Sequence, residues 1–359
     1  MKCSISDIAR RAGVSTTTVS RVLNDKPFGV SGKTREHVKA VMYEMNYRPS
    51  QLARGIALSH SNLIGMIIPD VSNLFYPQIL RGVDDYISQH GYSMLLYNSD
   101  SDPEREKKQL LTMVDHRVDG IMLCSGVSNE AFLRDFRAYG VPMVMIGRTF
   151  DSTYADGCIT GDNESGMYQS TSYMLDNGHR RILYLDGAPE VSGPMNRFRG
   201  YRHALQDAGL EVSEALVHRG EFSIQYGFDT VKGLLEEGLS FTAIVSGSDL
   251  VAIGAIKALH EGGLRVPEDI EVIGFDNIDL SSIYEPQLST VSKPHYEIAT
   301  AAARILLSVI DGSPPPIAHI ATPAKLILRS TTRPQTTNQK EKEGEAREQN
   351  GSPHANGKA

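Results

Sequence analysis

Three threonines and an arginine are the first side chains in the sequence whose types and spacing suit the binding of a ligand through hydrogen bonds. A helical spacing would place them together on the outer face of one short helix: Thr16, Thr17, Thr18 and Arg21. Hydroxyls exchange hydrogen bonds with base edges, and a guanidinium binds phosphate or guanine, so the group suits contact with nucleic acid. The chain has no GxSxG elbow, no HExxH and no complete P-loop, and its three cysteines are never spaced as CxxC. The sequence therefore favours binding over catalysis and predicts neither a metal nor a cofactor.

Two short helices and a glycine turn are the elements that would position this group. Gly13 would end the first helix and Ser15 would cap the second. Their apolar faces would consist of Ile5, Ile8 and Ala9, and of Val19, Val22 and Leu23. This is the pattern of a helix-turn-helix, whose second helix enters the major groove of DNA. Ser31 would begin a third helix, over residues 33–46, that completes a small core.

Charge is distributed unevenly along the chain. Residues 1–60 contain ten Lys and Arg but only four Asp and Glu, which gives this segment a charge of +6. The rest of the chain contains 26 Lys and Arg and 39 Asp and Glu, so the net charge of the whole chain is −7. A basic segment of this kind fits a polyanion such as DNA. A solvated charged helix face is the alternative.

Residues 50–60 are expected to form a hinge. Ser50 could cap a helix over residues 51–58, in which Leu52, Ala53 and Ile56 share a face. So short a helix, interrupted by Gly55, is not stable alone, and we expect it to form only against a partner. An ordinary interdomain linker is the alternative.

From residue 61 onward, short apolar runs alternate with helical patterns, which predicts parallel sheets covered by helices on both faces. The strands are expected at 63–69, 94–97, 120–124 and 143–146, and then at 182–185, 243–246 and 272–275. The helices are expected at 77–90, 103–116 and 129–139, and then at 198–208, 225–236, 250–261 and 294–311. The simplest account is two similar α/β lobes, joined near Gly161 and again near residues 286–293. Ligands of such sheets bind beyond the carboxyl ends of the strands, so the cleft between the lobes is the expected site.

The predicted fold class is therefore α/β: an all-α helix-turn-helix domain (1–49) and a hinge (50–60), followed by two doubly wound parallel-sheet lobes (61–333). We assign residues 61–160 and 293–318 to the first lobe, and residues 161–290 and 319–333 to the second. Residues 334–359 contain no Val, Ile, Leu, Met or aromatic residue, and we expect a disordered tail. No apolar run approaches the roughly 18 residues of a membrane span, and no apolar signal core follows Met1, which predicts a cytoplasmic protein without membrane contact.

Several motifs together closely resemble the lactose/galactose-repressor (LacI/GalR) family of bacterial transcription regulators. They are DIARRAGVS at 7–15, TVSRVLN at 18–24, KTR at 33–35, NYRP at 46–49, LAR at 52–54, IGMIIPD at 64–70, GH at 178–179, RFRG at 197–200, SD at 248–249, Gly254 and GFD at 274–276. The resemblance covers residues 4–333. It implies a homodimer, a core like a periplasmic binding protein, a small-molecule effector and a palindromic double-stranded DNA operator.

The resemblance also implies which residues contact DNA. Thr16 and Thr17 occupy the base-reading positions. The neighbouring base or phosphate contacts would be Ser15, Thr18, Ser20, Arg21 and Asn24, and the hinge contacts Leu52, Ala53 and Ile56. Ile56 stands where the family usually has a leucine that wedges into the minor groove, and an isoleucine can serve in the same way.

The family's cleft positions form a second set of candidates. They map to Asn73, Phe75, Tyr76, Arg148, Arg197, Phe222, Ser248, Asp249, Asp276 and Lys293. Aromatic faces with convergent polar groups suit a polyhydroxylated ring, although core packing is the alternative for an aromatic such as Phe75. The family often has an aspartate where this chain has Gly147, and a neutral residue where it has Lys293. This more positive cleft predicts an anionic effector such as a sugar acid or sugar phosphate, unless Lys293 points to solvent or pairs with Asp276.

The leading hypothesis is a ligand-controlled transcriptional repressor. The alternative is a sugar-binding protein of the periplasmic type without a regulatory role. The sequence leaves open whether the effector releases the operator or promotes its binding, because that sign depends on the effector's affinities for two conformations.

Overall fold

A computed structural model describes residues 3–23, 28–47, 60–124, 130–147, 154–187, 192–314 and 319–334. The chain divides into two compact units, Met1–Asn62 and Leu63–Ala359. Several predictions fall outside the described residues: the hinge helix at 51–58, the tail at 335–359, and the candidate residues Asn24, Leu52, Ala53, Ile56 and Arg148.

In its described residues, the first unit contains three helices: α1 (Ile5–Ala12), α2 (Thr16–Leu23) and α3 (Gly32–Glu44). Ser4 and Asp7 form a capping box at the start of α1, and Gly13 ends that helix with φ 67°, a conformation that glycine adopts without strain. The predicted caps of the next helices are confirmed, since Ser15 Oγ accepts from Thr18 N and Ser31 Oγ accepts from Thr34 N. The helices enclose a small core of Ile8, Ala9, Ala12, Val19, Val22, Val38 and Val41.

The first lobe of the second unit is built on an entirely parallel six-stranded sheet. Its strands are β1 (Leu63–Ile68), β2 (Ser93–Asn98), β3 (Gly120–Leu123), β4 (Met143–Ile146), β5 (Gly157–Gly161) and β11 (His319–Thr322), in the order β11-β5-β4-β3-β1-β2. The helices are α4 (Tyr76–Gln89), α5 (Pro103–Asp115), α6 (Glu130–Phe136) and α12 (His295–Ile310). Helices α4 and α12 cover one face, and α5 and α6 cover the other, which explains why the central strands read as continuous apolar runs.

The second lobe repeats this plan. Its strands are β6 (Ile182–Asp186), β7 (Val217–Arg219), β8 (Ala243–Ser246), β9 (Glu271–Phe275), β10 (Ser289–Ser292) and β12 (Lys325–Ile327), in the order β12-β10-β9-β8-β6-β7. Among the strands that the structure describes in this lobe, β12 alone runs antiparallel to its neighbour. The helices are α7 (Asn163–Asp176), α8 (Ser192–Asp207), α9 (Ile224–Glu236), α10 (Asp249–Glu261) and α11 (Leu280–Ile283). The predicted fold class, a helix-turn-helix followed by two parallel-sheet α/β lobes, is confirmed.

The described chain passes between the lobes three times: from β5 to α7, from β10 to α12, and from β11 to β12. The sequence-based division placed residues 319–333 in the second lobe. Strand β11, however, pairs with β5 in the first, because His319–Thr322 add an edge strand there before the chain crosses. Over the described residues, no helix is both long enough and apolar enough to cross a bilayer.

Candidate functional site

The start of α2 presents the hydroxyls that sequence analysis singled out. Thr16, Thr17 and Arg21 are exposed, while Thr18 and Ser20 are half-buried. The exposed Ser15 shares a hydrogen bond of 2.9 Å with Thr18 Oγ1, so these two hydroxyls stabilise the helix start and leave Thr16 and Thr17 as its outward-facing hydroxyls. The geometry matches a recognition helix that presents its N-terminal residues to DNA.

Arg21 lies against the loop that follows α2. Its Nη1 donates to Gly29 O at 3.5 Å, and a Cβ added at Gly29, where φ is +85°, would lie 2.7 Å from that nitrogen. Glycine at this position therefore leaves room for the guanidinium beside the helix. This contact limits the positions that Arg21 can adopt on the exposed face.

A cavity of about 850 Å³ lies between the two lobes of the second unit. Its volume is within the usual range for small-molecule sites. Eight of the ten predicted effector residues line it: Asn73, Phe75, Tyr76, Arg197, Phe222, Ser248, Asp276 and Lys293. The first three come from the loop after β1 and the start of α4, and the others come from the second lobe and its crossing, so the cavity is built from both lobes at the carboxyl ends of their strands.

Arg197, on α8, is held by an acid that sequence analysis did not predict. Its Nε and Nη2 donate to Asp186 Oδ1 at 3.1 and 2.8 Å, and Nε also approaches Oδ2 at 2.9 Å. Both side chains are buried. Burial alone would lower the pKa of Arg197, but the adjacent carboxylate outweighs it and the net shift is upward. The guanidinium lies over the rings of Phe222 and Phe275, 5.3 and 5.2 Å from their centroids.

Lys293 lies in the crossing from β10 to α12 and is also paired. Its Nζ is 3.2 Å from Asp276 Oδ1 and donates to Asn163 Oδ1 at 3.1 Å. Its stem passes Gly161, where an added Cβ would be 2.2 Å from Lys293 Cδ. Burial lowers the pKa of this lysine, and Asp276 offsets the shift only in part. Pairing with Asp276, the alternative considered from the sequence, is the arrangement found.

Aromatic rings complete the wall from the first lobe. Phe75 meets Tyr76 and His295 edge to face, each with centroids 4.9 Å apart. His295 Nε2 lies 2.9 Å from Asp276 O, and burial, followed by the nearby Lys293, lowers its pKa. The lowered pKa favours the neutral imidazole. The wall therefore offers apolar ring surface beside polar atoms.

Two predicted effector residues are not placed in the cavity wall. Arg148 lies outside the described residues. Asp249 is fully buried and does not line the cavity: its carboxylate accepts from Thr290 Oγ1 at 2.5 Å and from Ile278 N at 2.8 Å. Asp249, the first residue of α10, is thus hydrogen-bonded to Ile278, which follows β9, and to Thr290 in β10. Its neighbour Ser248 does line the cavity and also caps α10.

Asn163, Asp186 and His295 are among the polar residues of this region that sequence analysis missed. Asp186 ends β6, and the rule that sites lie beyond the carboxyl ends of parallel strands could have identified it. Asn163 and His295 follow the crossings between lobes and carry no comparable signal. In the described part of the chain, no group of His, Cys, Asp and Glu is arranged to hold a metal ion.

A helix-turn-helix unit and a two-lobed α/β core with a polar cavity define the class of ligand-responsive DNA-binding regulators. Two family models match the chain. The model for bacterial regulatory proteins of the lacI family matches residues 4–50, and the model for periplasmic binding proteins and the sugar binding domain of the LacI family matches residues 61–332. The chain belongs to the LacI family.

Individual relatives agree with this assignment. Catabolite control protein A of Priestia megaterium is 35% identical over 336 residues, which cover 93% of this chain and 100% of that protein. The ribose operon repressor of Escherichia coli (strain K12) is 36% identical over 307 residues, 85% of this chain and 92% of that protein. A crystal structure of the lac repressor dimer bound to operator and an anti-inducer superposes with a TM-score of 0.81 at 28% identity, covering 93% of this chain and 100% of that one. These relatives are DNA-binding regulators and not enzymes.

Proposed function

We propose that this LacI-family protein is a transcriptional repressor that binds a palindromic operator as a homodimer and is controlled by a small carbohydrate bound between its lobes. The cavity carries the proposal, because it combines ring surfaces with hydrogen-bonding groups from both lobes. A ligand that bridges two lobes stabilises one arrangement of them over another, which is the requirement for control.

The polar atoms of the cavity suit hydroxyl groups. Arg197, Lys293 and Asn163 supply donors, whereas Asp276 and Ser248 supply acceptors. Phe75 and Phe222 offer ring faces or edges to the C–H surface of a sugar. The ribose repressor named among the relatives supports a carbohydrate as the class of effector. The expectation of a sugar acid or sugar phosphate rested on Gly147 in place of an aspartate and on an unpaired Lys293, and the ion pair between Lys293 and Asp276 removes the second of these supports.

For DNA, we propose that Thr16 and Thr17 contact base edges and that Arg21 contacts a base or phosphate. Ser15, Thr18 and Ser20 would orient the helix at its start, and residues 50–60 would act as the hinge. Hydroxyls accept and donate at any base, so Thr16 and Thr17 do not define the operator sequence. The homodimer is proposed because a palindromic operator presents two equivalent half-sites, and sedimentation of the full chain measures it directly.

The test is operator selection followed by an effector screen. Random palindromic duplexes are enriched on the full chain, and the selected operator is used in a mobility shift at increasing salt. We expect a specific shift whose affinity falls steeply with salt. Thr17→Ala should weaken the binding free energy for the operator by about 1–3 kcal/mol if that hydroxyl reads a base. A panel of sugars is then screened by thermal stability, and each hit is added to the mobility shift.

Phe222→Ala is the matched control on the effector side. It should reduce sugar binding but keep the operator shift, whereas Thr17→Ala should do the reverse. Sugar binding in a chain that binds no DNA would instead support the alternative of a periplasmic-type binding protein. A repressor role would be contradicted by operator binding that no bound sugar alters.

A further inference from the structure

We propose that Asp186 determines effector specificity by cancelling the charge of Arg197, so that the cleft binds an uncharged polyhydroxylated ligand and discriminates against carboxylates and phosphates. This inference rests on the proposed function, since it concerns the ligand of the same cavity. Asp186 itself is 1% exposed and does not line the cavity, so it acts through Arg197 and not by touching the ligand.

The carboxylate of Asp186 is fully engaged by the protein. It accepts from Tyr184 Oη and from Gly187 N, in addition to the two guanidinium nitrogens of Arg197. A carboxylate offers about four acceptor sites, and these partners occupy them. Asp186 therefore has no capacity left for a ligand hydroxyl, and its remaining role is that of an internal counter-charge.

The surrounding backbone is shaped around this ion pair. A Cβ added at Gly247 would lie 2.0 Å from Asp186 Oδ1 and 2.8 Å from Arg197 Nε, so the turn after β8 packs directly against both partners. Asp186 fixes Nε and Nη2, and no described residue accepts a hydrogen bond from Nη1. Arg197 thus offers the cavity a directional donor whose positive charge is already balanced.

The second buried cation of the cavity is balanced in the same way. Lys293 pairs with Asp276, and the glycine at 161 leaves the space through which its stem reaches that acid. A carboxylate or phosphate ligand would therefore have to compete with Asp276 and Asp186 for cations that are already neutralised.

The other charged groups that the structure describes around the cavity do not restore a positive field. Arg219 is exposed and lies 4.5 Å from the ring centroid of Phe198. The remaining charged lining residues are the acids Asp70, Asp100 and Glu221. In the described residues, four acids (Asp70, Asp100, Glu221 and Asp276) and three cations (Arg197, Arg219 and Lys293) line the cavity. Asp100 is itself paired with Arg105, and Asp186 adds a further negative charge beside Arg197, so the balance stays on the acidic side. A neutral ligand is favoured because it avoids repulsion from these acids.

The test compares chemically matched ligands on the wild-type full chain by calorimetry. The pairs are glucose and glucuronate, galactose and galacturonate, and ribose and ribose 5-phosphate. We expect that any pair that binds will favour the neutral member at least tenfold. Inorganic phosphate should produce no saturable increase in the thermal midpoint. Tighter binding of a uronate or sugar phosphate, or saturable stabilisation by inorganic phosphate, would overturn the proposal without any variant being needed.

Asp186→Asn removes the counter-charge with little change of shape. In this variant, the ratio of the affinity for the neutral member to that for the anionic member should fall at least tenfold. Inorganic phosphate should also stabilise the variant in a saturable way. Asp269→Asn is the control, because Asp269 also pairs with an arginine of the second lobe, Arg265, but away from the cavity. An unchanged preference in a folded Asp186→Asn chain would contradict the role of Asp186.

The phosphate measurement separates this proposal from the proposed function. If no sugar in the panel binds, the carbohydrate assignment fails, whereas the charge balance is still judged by whether phosphate stabilises Asp186→Asn but not the wild type. If sugars bind and alter operator affinity but uronates bind more tightly, the regulatory function holds and the role of Asp186 fails.

Discussion

Replacing Glu271 with glutamine should reduce the loss of stability that the protein suffers in acid. Glu271 is the first residue of β9 and is 0% exposed. Its carboxylate accepts from Arg333 Nε at 2.6 Å, from Arg333 N at 3.1 Å and from Asn177 Nδ2 at 3.1 Å, and it lies 3.0 Å from His179 Nε2. Burial would raise its pKa, but these hydrogen bonds outweigh burial and lower the pKa from 4.5 to about 2.

The direction of the effect follows from the lowered pKa. The folded protein binds this proton less readily than the unfolded chain, so the carboxylate stabilises the fold above about pH 4.5, and that contribution is lost as the pH falls toward 2. The full shift would correspond to roughly 3 kcal/mol. The side chain of Arg333 is 51% exposed, and solvent screens this partner, so we expect about 1–2 kcal/mol.

Urea unfolding of the full chain, followed by circular dichroism at several values between pH 7 and pH 3, measures this contribution. The wild type should lose about 1–2 kcal/mol more than Glu271→Gln over that interval. Glu236→Gln, at the exposed end of α9, is the control and should follow the wild type. Equal losses in the wild type and Glu271→Gln would refute the assignment of this acid-labile stability to the carboxylate of Glu271.

Three further predictions concern space and reactivity. Gly161→Ala places a methyl against the stem of Lys293, so effector affinity measured by calorimetry should fall at least tenfold while operator affinity without effector is kept. Gly254→Ala would set a Cβ 2.0 Å from Ile224 O and should lower the free energy of unfolding by about 1–3 kcal/mol. Gly233→Ala is the matched variant, because an added Cβ there meets nothing within 4 Å, and it should raise the free energy of unfolding by up to about 1 kcal/mol. Urea titrations that show Gly254→Ala stabilised or Gly233→Ala destabilised would contradict this packing. Burial raises the pKa of Cys124, so a thiol reagent should modify the half-buried Cys3 long before Cys124, and equally fast labelling would count against the native burial.

The elements that could be predicted from sequence are those whose burial leaves a regular pattern. Strand β1 is covered on both faces and therefore reads as an unbroken apolar run. Helix α7, Asn163–Asp176, was not predicted, because it is buried on more than one side and carries polar residues inside. Ser170 and Thr171 satisfy their hydroxyls on backbone carbonyls one turn earlier, which sequence periodicity does not reveal.

Individual site residues show the same limit. The family resemblance placed both Ser248 and Asp249 in the effector cleft, yet only the serine lines the cavity, because Asp249 turns inward to Thr290 and Ile278. Lys293 was identified as a cleft residue, but its charge balance depends on Asp276 and on the space beside Gly161. Such contacts join segments far apart in the chain, and their geometry follows from packing and not from local pattern.

The central claim is that a ligand between the lobes controls operator binding by the helix-turn-helix. Fluorescence anisotropy of the selected operator, titrated with the full chain in the absence and presence of a saturating neutral sugar, tests it most directly. Operator affinity should change at least tenfold, and sugar affinity should change by the same factor when operator is bound, because the coupling is reciprocal. An operator affinity that stays the same while calorimetry shows the cavity filled would contradict the claim.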